Sequence, residues 1–382
     1  MIVHVVQPAL PRYRIPFFRA VQKGMQKKGI VLCVYASLRD HLGLESTPAD
    51  GFKAKIGPPM LCYLARRIFW QRQLDVALHN GDVLVLNGNP RILSNYPLWL
   101  RARRSGVPVV WWGHGWSAGS HGMAALIRRQ IMRLADGVIL YSEKEREQFL
   151  AMGFSPQRTF ALNNGLDAES VNAAVSAWTT DAVHHFKNAR RLDRLAHWCV
   201  FIGRQTAKSQ IELLIESLPK FRADVGLIVL GDGPEAERAK RRAAELGVSS
   251  RIVWAGAEFD ENSVAPWMLS ASVFVYPGSV GLSLIHAFAY GLPAVVHSAS
   301  HDHQPEFAAF CEGRNGISFA QGSATSLAHA VNTLVADSSM RQTMSAAART
   351  LIRKTFNTAD MAERFNAAIE TTTRTPAAIG GL

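Results

Sequence analysis

Residues 273–297, VFVYPGSVGLSLIHAFAYGLPAVVH, are the stretch around which the chain is organised. Residues 273–276 form a short apolar run of strand length. Pro277-Gly278-Ser279-Val280-Gly281 follows as a turn, with two glycines where a backbone passes close to a ligand. Leu282, Leu284, Ile285, Phe288 and Ala289 recur at helical spacing, and Gly291-Leu292-Pro293 supplies a C-cap and a stop. Ala294-Val295-Val296 opens another strand. Strand, glycine turn, helix and strand make a βαβ unit, and free N–H groups at such a helix start favour a phosphate. Any βαβ crossover also needs a glycine turn, so the stretch alone leaves ligand binding and plain architecture both open.

The same residues resemble the donor-site segment of the large family of retaining glycosyltransferases of GT-B fold (glycosyl transferases group 1), which use nucleotide-sugars. The family pattern reads Pro-Ser, a Glu, Gly-Phe-Gly-Leu, three apolar residues, a second Glu, then Ala-Met-Ala-x-Gly-x-Pro. Gly281, Leu282, Ala287, Ala289, Gly291 and Pro293 fall on it. Both acidic positions depart from it, with Gly278 at the first Glu and His286 at the second. The departures remove the usual carboxylate contacts to the donor sugar and ribose hydroxyls. They leave the phosphate cradle, which is backbone chemistry around Ser279, Val280, Gly281 and Leu282.

The 382 residues suffice for two domains of ordinary size. Hydrophobic residues make up 48%, yet no segment approaches the roughly 18 uninterrupted apolar residues of a membrane span. The amino-terminal MIVHVVQPALPRYR enters a strand-like run with no signal-peptide layout. Cys33, Cys62, Cys199 and Cys311 are scattered without a C-x-x-C pair, which favours reduced thiols over disulfides or zinc. These features predict a cytoplasmic protein. The formal net charge of +12 calls for an acidic partner. A pyrophosphate substrate accounts for only a few charges. No zinc-finger, RNP or basic-zipper pattern appears, so an anionic membrane surface ranks above nucleic acid, which is not expected as a partner.

Residues 2–6 read as the first strand, and residues 8–16, PALPRYRIP, as a loop before a helix over about 17–28. A loop after a first parallel strand lies at the carboxyl edge of the sheet, where ligands collect. In the resembling family this loop faces the acceptor, so Arg12 and Arg14 are candidates for an acceptor phosphate; the plainer reading is solvated surface arginines. Residues 60–74, MLCYLARRIFWQRQL, are expected as a helix. Tyr63, Phe69 and Trp70 among Arg66, Arg67 and Arg72 suit either a helix lying on anionic lipid or one covering the sheet with a basic outer face. Asn87-Gly88-Asn89-Pro90 follows a strand as another loop at the ligand edge, which makes Asn87 an acceptor-side candidate. The strand over 107–112 ends in Gly113-His114-Gly115-Trp116-Ser117. This is similar to the family position whose histidine sits near the donor sugar, and the flanking glycines open the ring to approach. A second basic helix, over 123–134, carries Arg128, Arg129 and Arg133. Residues 161–167, ALNNGLD, match the family's Pro-Asn-Gly-x-Asp element with Asn163 in place of the proline.

Residues 168–196 are polar and weakly patterned and are expected as a linker. The strand over 198–202 runs into Gly203-Arg204, with Lys208 four residues beyond the arginine. The resemblance implies that these two cations hold the donor diphosphate; a planar fork and a point charge both suit phosphate oxygens. The resemblance implies that Gly231-Asp232-Gly233-Pro234 is a structural turn, and no Walker loop is present. Ala257 and Glu258 fall where family members hold the nucleotide base by backbone groups. His301-Asp302-His303 suggests a metal but lacks partner ligands, so no metal site is expected. Pro305-Glu306 and Asn315-Gly316 match elements that close the family's second domain, and Glu306 is a candidate to replace part of the missing carboxylate set. Helices over 326–337, 339–356 and 358–371 finish the fold.

The expected architecture is α/β, GT-B, with two doubly wound Rossmann-like domains. The first covers residues 1–167 on the acceptor side, and a linker covers 168–196. The nucleotide-sugar-binding domain covers 197–356, a helix over 357–371 crosses back, and 372–382 form a flexible tail. The expected function is retaining transfer of a hexose from a nucleotide-diphosphate-sugar to a hydroxyl of a saccharide or lipid-linked saccharide, in cell-surface polysaccharide assembly at the inner face of the plasma membrane. Arg204 and Lys208 stabilise the departing diphosphate, and His114 positions the sugar. The chain has no D-x-D pair to hold a divalent metal, so metal independence is expected, with no cofactor beyond the donor. A GT-B-like nucleotide-sugar epimerase is an alternative, but it needs cleft carboxylates that Gly278 and His286 remove. A catalytically inactive scaffold at the membrane is favoured by those same two residues and opposed by Arg204, Lys208 and His114.

Overall fold

Short apolar runs alternate with helices along the chain, and they close into two parallel sheets. The structure is a computed structural model describing residues 1–72, 74–114 and 123–374. Contacts divide it into two units, Met1–Asn164 with the chain from Thr358 onward, and Gly165–Asn357.

The first unit contains β1 (Ile2–Gln7), α1 (Ile15–Gln26), β2 (Val31–Ser37), β3 (Lys53–Gly57), β4 (Leu61–Tyr63), β5 (Ile68–Trp70) and β6 (Val83–Asn87). It continues with α2 (Asn95–Arg104), β7 (Val109–Trp112), α3 (Met123–Arg133), β8 (Gly137–Leu140), α4 (Glu143–Ala151) and β9 (Thr159–Ala161). Seven strands pair in the order β3-β2-β1-β6-β7-β8-β9, all parallel, so their carboxyl ends share one edge. Strand residues such as Val83 to Leu86 are buried on both faces, as a parallel sheet covered by helices demands. Pro16 sits in the first turn of α1, whose buried stripe of Ile15, Phe17, Phe18, Val21 and Met25 packs on the sheet. Ser142 and Glu145 form a capping box at the start of α4.

The second unit contains α5 (Ala168–Ala177), α6 (Thr180–Ala189), β10 (His197–Ile202), α7 (Ile211–Ser217), β11 (Val225–Leu230), α8 (Ala236–Glu245) and β12 (Ile252–Gly256). After these come α9 (Glu261–Leu269), β13 (Val273–Tyr276), α10 (Leu282–Ala289), β14 (Ala294–His297), β15 (Gly316–Phe319), α11 (Ala324–Ala336) and α12 (Ser338–Lys354). Its six strands are parallel in the order β12-β11-β10-β13-β14-β15. The chain then returns through α13 (Thr358–Arg374), which packs in the first unit. There the Phe365 ring lies 5.7 Å from that of Phe17 and 5.6 Å from that of Trp112.

Three expectations from the sequence are corrected. The helix expected over 60–74 is replaced by a hairpin at 61–70: β4 and β5 are antiparallel, pairing Leu61 with Trp70 and Tyr63 with Ile68. Phe69 is 1% exposed and packs with Met60 and Ile92, while Trp70 is 39% exposed, a period of two. The turn holds Leu64, Ala65 and Arg66 at positive φ. Arg91 donates to the carbonyls of Arg66 and Arg67, and Arg66, one of the arginines assigned to lipid or an outer face, donates to that of His41 and braces backbone instead. The linker at 168–196 is largely α5 and α6, capped by the side chains of Asp167 and Thr179. Val171 and Ala174 are buried, and the Phe186 ring meets Trp267 at 4.8 Å. Residues 372–374, expected in a tail, belong to α13: Thr372 is buried and its hydroxyl donates to Ala368 O at 2.8 Å. Residues 375–382 lie outside the described residues. No described helix is long and apolar enough to cross a membrane.

Candidate active site

In the second unit the loops after β10, β12, β13 and β14 share the carboxyl edge of one parallel sheet. Gly203 and Arg204 follow β10, Ala257 and Glu258 follow β12, and residues 277–281 follow β13. Lys208 sits in a single 3-10 turn, Ala207–Ser209, whose backbone lies directly on the glycine turn. The Ser279 N–H donates to Lys208 O at 3.0 Å. A Cβ built on Gly278 would lie 2.7 Å from the Ser209 carbonyl carbon and closer still to Lys208 O. Position 278 therefore has no room for any side chain, and the absence of the first pattern Glu follows from this close approach. Arg204 and Lys208 are exposed, and neither forms an ion pair among the described residues.

α10 begins at Gly281 with no side-chain cap; the Leu284 N–H turns back to Gly281 O at 2.9 Å, and those of Leu282 and Ser283 are available to an anion. The cradle is nevertheless smaller than the sequence suggests. The Val280 N–H donates to His303 Nδ1 at 3.1 Å, and the Ser279 N–H is taken by Lys208. His303 is held from its other side, Nε2 donating to His297 O at 2.8 Å. Burial pushes the His303 imidazole down to about 4, which keeps Nδ1 bare as an acceptor. His303 thus braces the glycine turn through both ring nitrogens. Gln304 adds two bonds, its N–H to Val280 O at 2.9 Å and its side chain to Ser279 Oγ at 3.2 Å. Glu306 is buried, and a Cβ on Gly281 would stand 3.4 Å from its Oε2. A carboxylate therefore does border the turn.

His286 reveals a second carboxylate that sequence reasoning missed. Its Nε2 lies 2.7 Å from Glu261 Oε1, and the Tyr290 hydroxyl donates to the same oxygen at 2.5 Å. Glu261 opens α9 under the Asp260 cap. Burial raises its pKa, but the bonds to His286 and Tyr290 outweigh that and hold the carboxyl below its ordinary value. Burial and the Glu261 charge push the Tyr290 hydroxyl up. The only sequence signal was the i,i+4 spacing of His286 and Tyr290. Phe259, 81% exposed beside Glu258, is a further aromatic at this edge that the sequence reading passed over.

The first unit gathers Arg12, Arg14, Asn87 and His114 at the carboxyl edge of its own sheet. The ends of β6 and β7 come together through glycines: a Cβ on Gly88 would lie 2.7 Å from Gly113 Cα. Asn87 Oδ1 accepts the Asn89 N–H at 3.1 Å, which fixes that loop. The His114 ring stands 4.5 Å from that of Tyr141. Burial, with the Arg128 and Arg14 guanidiniums nearby, pushes its pKa down to about 4, so the ring is neutral at pH 7. Arg14 is not a merely solvated arginine. It donates to Asn164 Oδ1 at 2.8 Å and lies 5.5 Å over Trp112 and 5.9 Å over Tyr141, the ring His114 also meets. Arg12 is exposed and forms no ion pair among the described residues. Gly115, Trp116 and Ser117 lie outside the described residues.

Residues 196–337 match the family model described as glycosyl transferases group 1, and residues 17–165 match the glycosyl transferase 4-like domain. Over 143 residues the chain is 31% identical to a lipopolysaccharide core biosynthesis glycosyltransferase of Rhizobium meliloti, a match covering 37% of this chain and 40% of that protein. Over 302 residues it is 25% identical to the alpha-maltose-1-phosphate synthase of Mycobacterium tuberculosis, covering 75% of this chain and 74% of that one. Among solved structures, that of Anabaena HepE in complex with UDP and glucose is similar at a TM-score of 0.69, over 97% of this chain and 100% of that one. Identity there is 13%, a likeness of fold.

Proposed function

We propose a function from the premise that the chain belongs to the glycosyl transferases group 1 family and has the GT-B fold: it transfers a sugar from a nucleotide-diphosphate-sugar to a hydroxyl of a saccharide acceptor. The acceptor oxygen forms a bond to the anomeric carbon while the bond from that carbon to the diphosphate breaks. The electron pair leaves with the diphosphate, and a diphosphate oxygen takes the hydroxyl proton on the same face, which retains configuration. The observation that carries this reading is the joined turn: Lys208 O on Ser279 N at 3.0 Å, with exposed Arg204 and Lys208 beside an uncapped helix start. Cations and amides fixed before the reaction act where charge accumulates on the leaving group. With Arg204 and Lys208 in that role the transfer needs no divalent metal, and neutral His114 meets the donor sugar as a hydrogen-bonding group.

The names of the matched relatives favour a lipopolysaccharide or related cell-surface saccharide as acceptor. The net charge of +12 favours attachment to an anionic membrane face on the cytoplasmic side, where a lipid-linked acceptor would be met. A thermal-shift screen with UDP, GDP, ADP, CMP and their sugars, with and without EDTA, tests the reading. One diphosphate raising Tm by several degrees irrespective of EDTA supports it. Arg204→Ala and Lys208→Ala should each weaken that nucleotide about 10- to 150-fold, the range of a charge-assisted hydrogen bond. Silence toward every nucleotide at millimolar concentration would favour the scaffold reading, for which Gly278 is the supporting observation.

A further inference from the structure

The amino edge of the second unit's sheet, away from the glycine turn, holds a cavity of about 760 Å³. Its floor is the chain entering β13 and β14, including Ser272, Leu292 and Pro293, and its walls are α5 and one face of α12. Its size falls within the roughly 300–1,000 Å³ of small-molecule sites. Arg341, Arg349 and Arg353 line it, and no Asp or Glu does. None of the three forms an ion pair among the described residues. Their hydrogen bonds go to neutral groups: Arg341 to Leu334 O at 2.6 Å, Arg349 to Tyr290 O at 3.1 Å and Arg353 to Thr350 Oγ1 at 3.4 Å. A guanidinium has five donors, so each keeps capacity for an anion.

Arg349 and Arg353 are four residues apart and share a helix face, which makes them a two-armed grip for one anionic group. Two guanidiniums match the several oxygens and double charge of a phosphate better than the two oxygens of one carboxylate. The remaining polar lining is neutral, Asn172, Gln342 and Ser345 among it, and suits hydroxyl groups. We propose that this cavity binds a small phosphorylated, hydroxyl-bearing molecule of sugar-phosphate type, at a site separate from the glycine turn. The proposal goes beyond the transfer reading and does not depend on it.

Isothermal titration of the full chain with glucose 1-phosphate, glucose and inorganic phosphate tests it. Glucose 1-phosphate should bind the unmodified protein and the Arg204→Ala/Lys208→Ala double variant with the same Kd. It should bind Arg353→Ala about tenfold more weakly or worse, as should glucose bind the unmodified protein. Arg353 is exposed, and an unchanged melting curve would show that this variant folds. Gln342→Ala, also at an exposed position, should weaken glucose 1-phosphate and leave inorganic phosphate unchanged. The site is refuted by an absence of binding up to about 10 mM, or by equal binding to Arg353→Ala. Loss of binding in the double variant would refute it too, by placing the sugar phosphate at the glycine turn.

Discussion

Restoring the first pattern acid, Gly278→Glu, should damage the protein rather than improve it. A Cβ at this position stands 2.7 Å from the Ser209 carbonyl carbon, whereas ordinary contact begins near 3.4 Å, so the two loops must part by at least the difference, 0.7 Å. Lys208 O is nearer still, and the separation breaks the Ser279 N to Lys208 O bond of 3.0 Å. Overpacking of this kind costs about 1–3 kcal/mol, and the lost hydrogen bond about 0.5–1.5 kcal/mol. The total is then about 1.5–4.5 kcal/mol. In a unit running from Gly165 to Asn357, each kcal/mol lowers Tm by about 2–4 °C, so a fall of about 3–18 °C is expected. Gly278→Ala isolates the Cβ and should lose most of the same amount. The parted loop also carries Lys208 away from the turn, so both variants should bind the matching nucleoside diphosphate at least tenfold more weakly. Differential scanning fluorimetry and titration calorimetry read both effects. A Gly278→Ala protein that melts with the parent, or a Gly278→Glu protein that binds nucleotide more tightly, would refute the packing argument.

Restoring the second acid, His286→Glu, meets a different obstacle: it sets a carboxylate against Glu261, whose Oε1 now lies 2.7 Å from the His286 ring. Two carboxylates at that distance cannot both ionise freely. Stability at pH 7 should therefore fall and recover on acidification, and the swap His286→Glu with Glu261→His should restore it, as urea melts of the three proteins would show. The parent's stability also depends on pH through His114 and His303, each lowered by burial from 6.5 to about 4; His4, His41, His197 and His297 are lowered in the same direction. Between those values the unfolded chain binds more protons than the folded one. Stability is thus fully present above about 6.5 and declines as the pH falls toward 4, by up to about 1.4 kcal/mol per pH unit for each histidine. His303→Gln should remove one histidine's share of that slope, which denaturant melts across the window would register.

The sheets were legible because a strand buried on both faces is written as an unbroken apolar run. Val225–Leu230, VGLIVL, is buried at every residue. The hairpin at 61–70 was not, for a physical reason. Its turn residues are Leu64, Ala65 and Arg66, none of which announces positive φ as Gly or Asn would. The conformation is held by Arg91 and by the Arg66 bond to His41, contacts about two dozen residues distant in sequence. Locally the segment offers apolar residues at both helical and strand spacing, and tertiary bonds decide between them. The α5 and α6 helices were hidden by small and polar residues, although their caps, Asp167 and Thr179, stand plainly in the sequence.

At the candidate site, what a local pattern can encode was readable, and what depends on the fold was not. A glycine turn before a helix is local, and so is an arginine followed by a lysine. Which amides of that turn stay open is settled by His303, 23 residues beyond Val280, and by Lys208, which takes the Ser279 N–H. The apparent loss of acid has the same character. Read along the chain, Gly278 and His286 delete two carboxylates. In space, Glu306 borders Gly281, and Glu261 grips α10 through His286 and Tyr290. The substitution at 286 therefore exchanges an acceptor on α10 for an imidazole fixed by an acceptor on α9. If hydroxyls of the donor are met there, the ring nitrogen left over from the Glu261 bond must meet them. Glu261→Gln then becomes the sharper probe, because it keeps the shape of the pair and removes the charge that orients the imidazole. It should weaken nucleoside diphosphate and nucleotide-sugar by similar factors, since orientation of one ribose-side group is common to both. A loss confined to the sugar-bearing ligand would instead place His286 at the sugar.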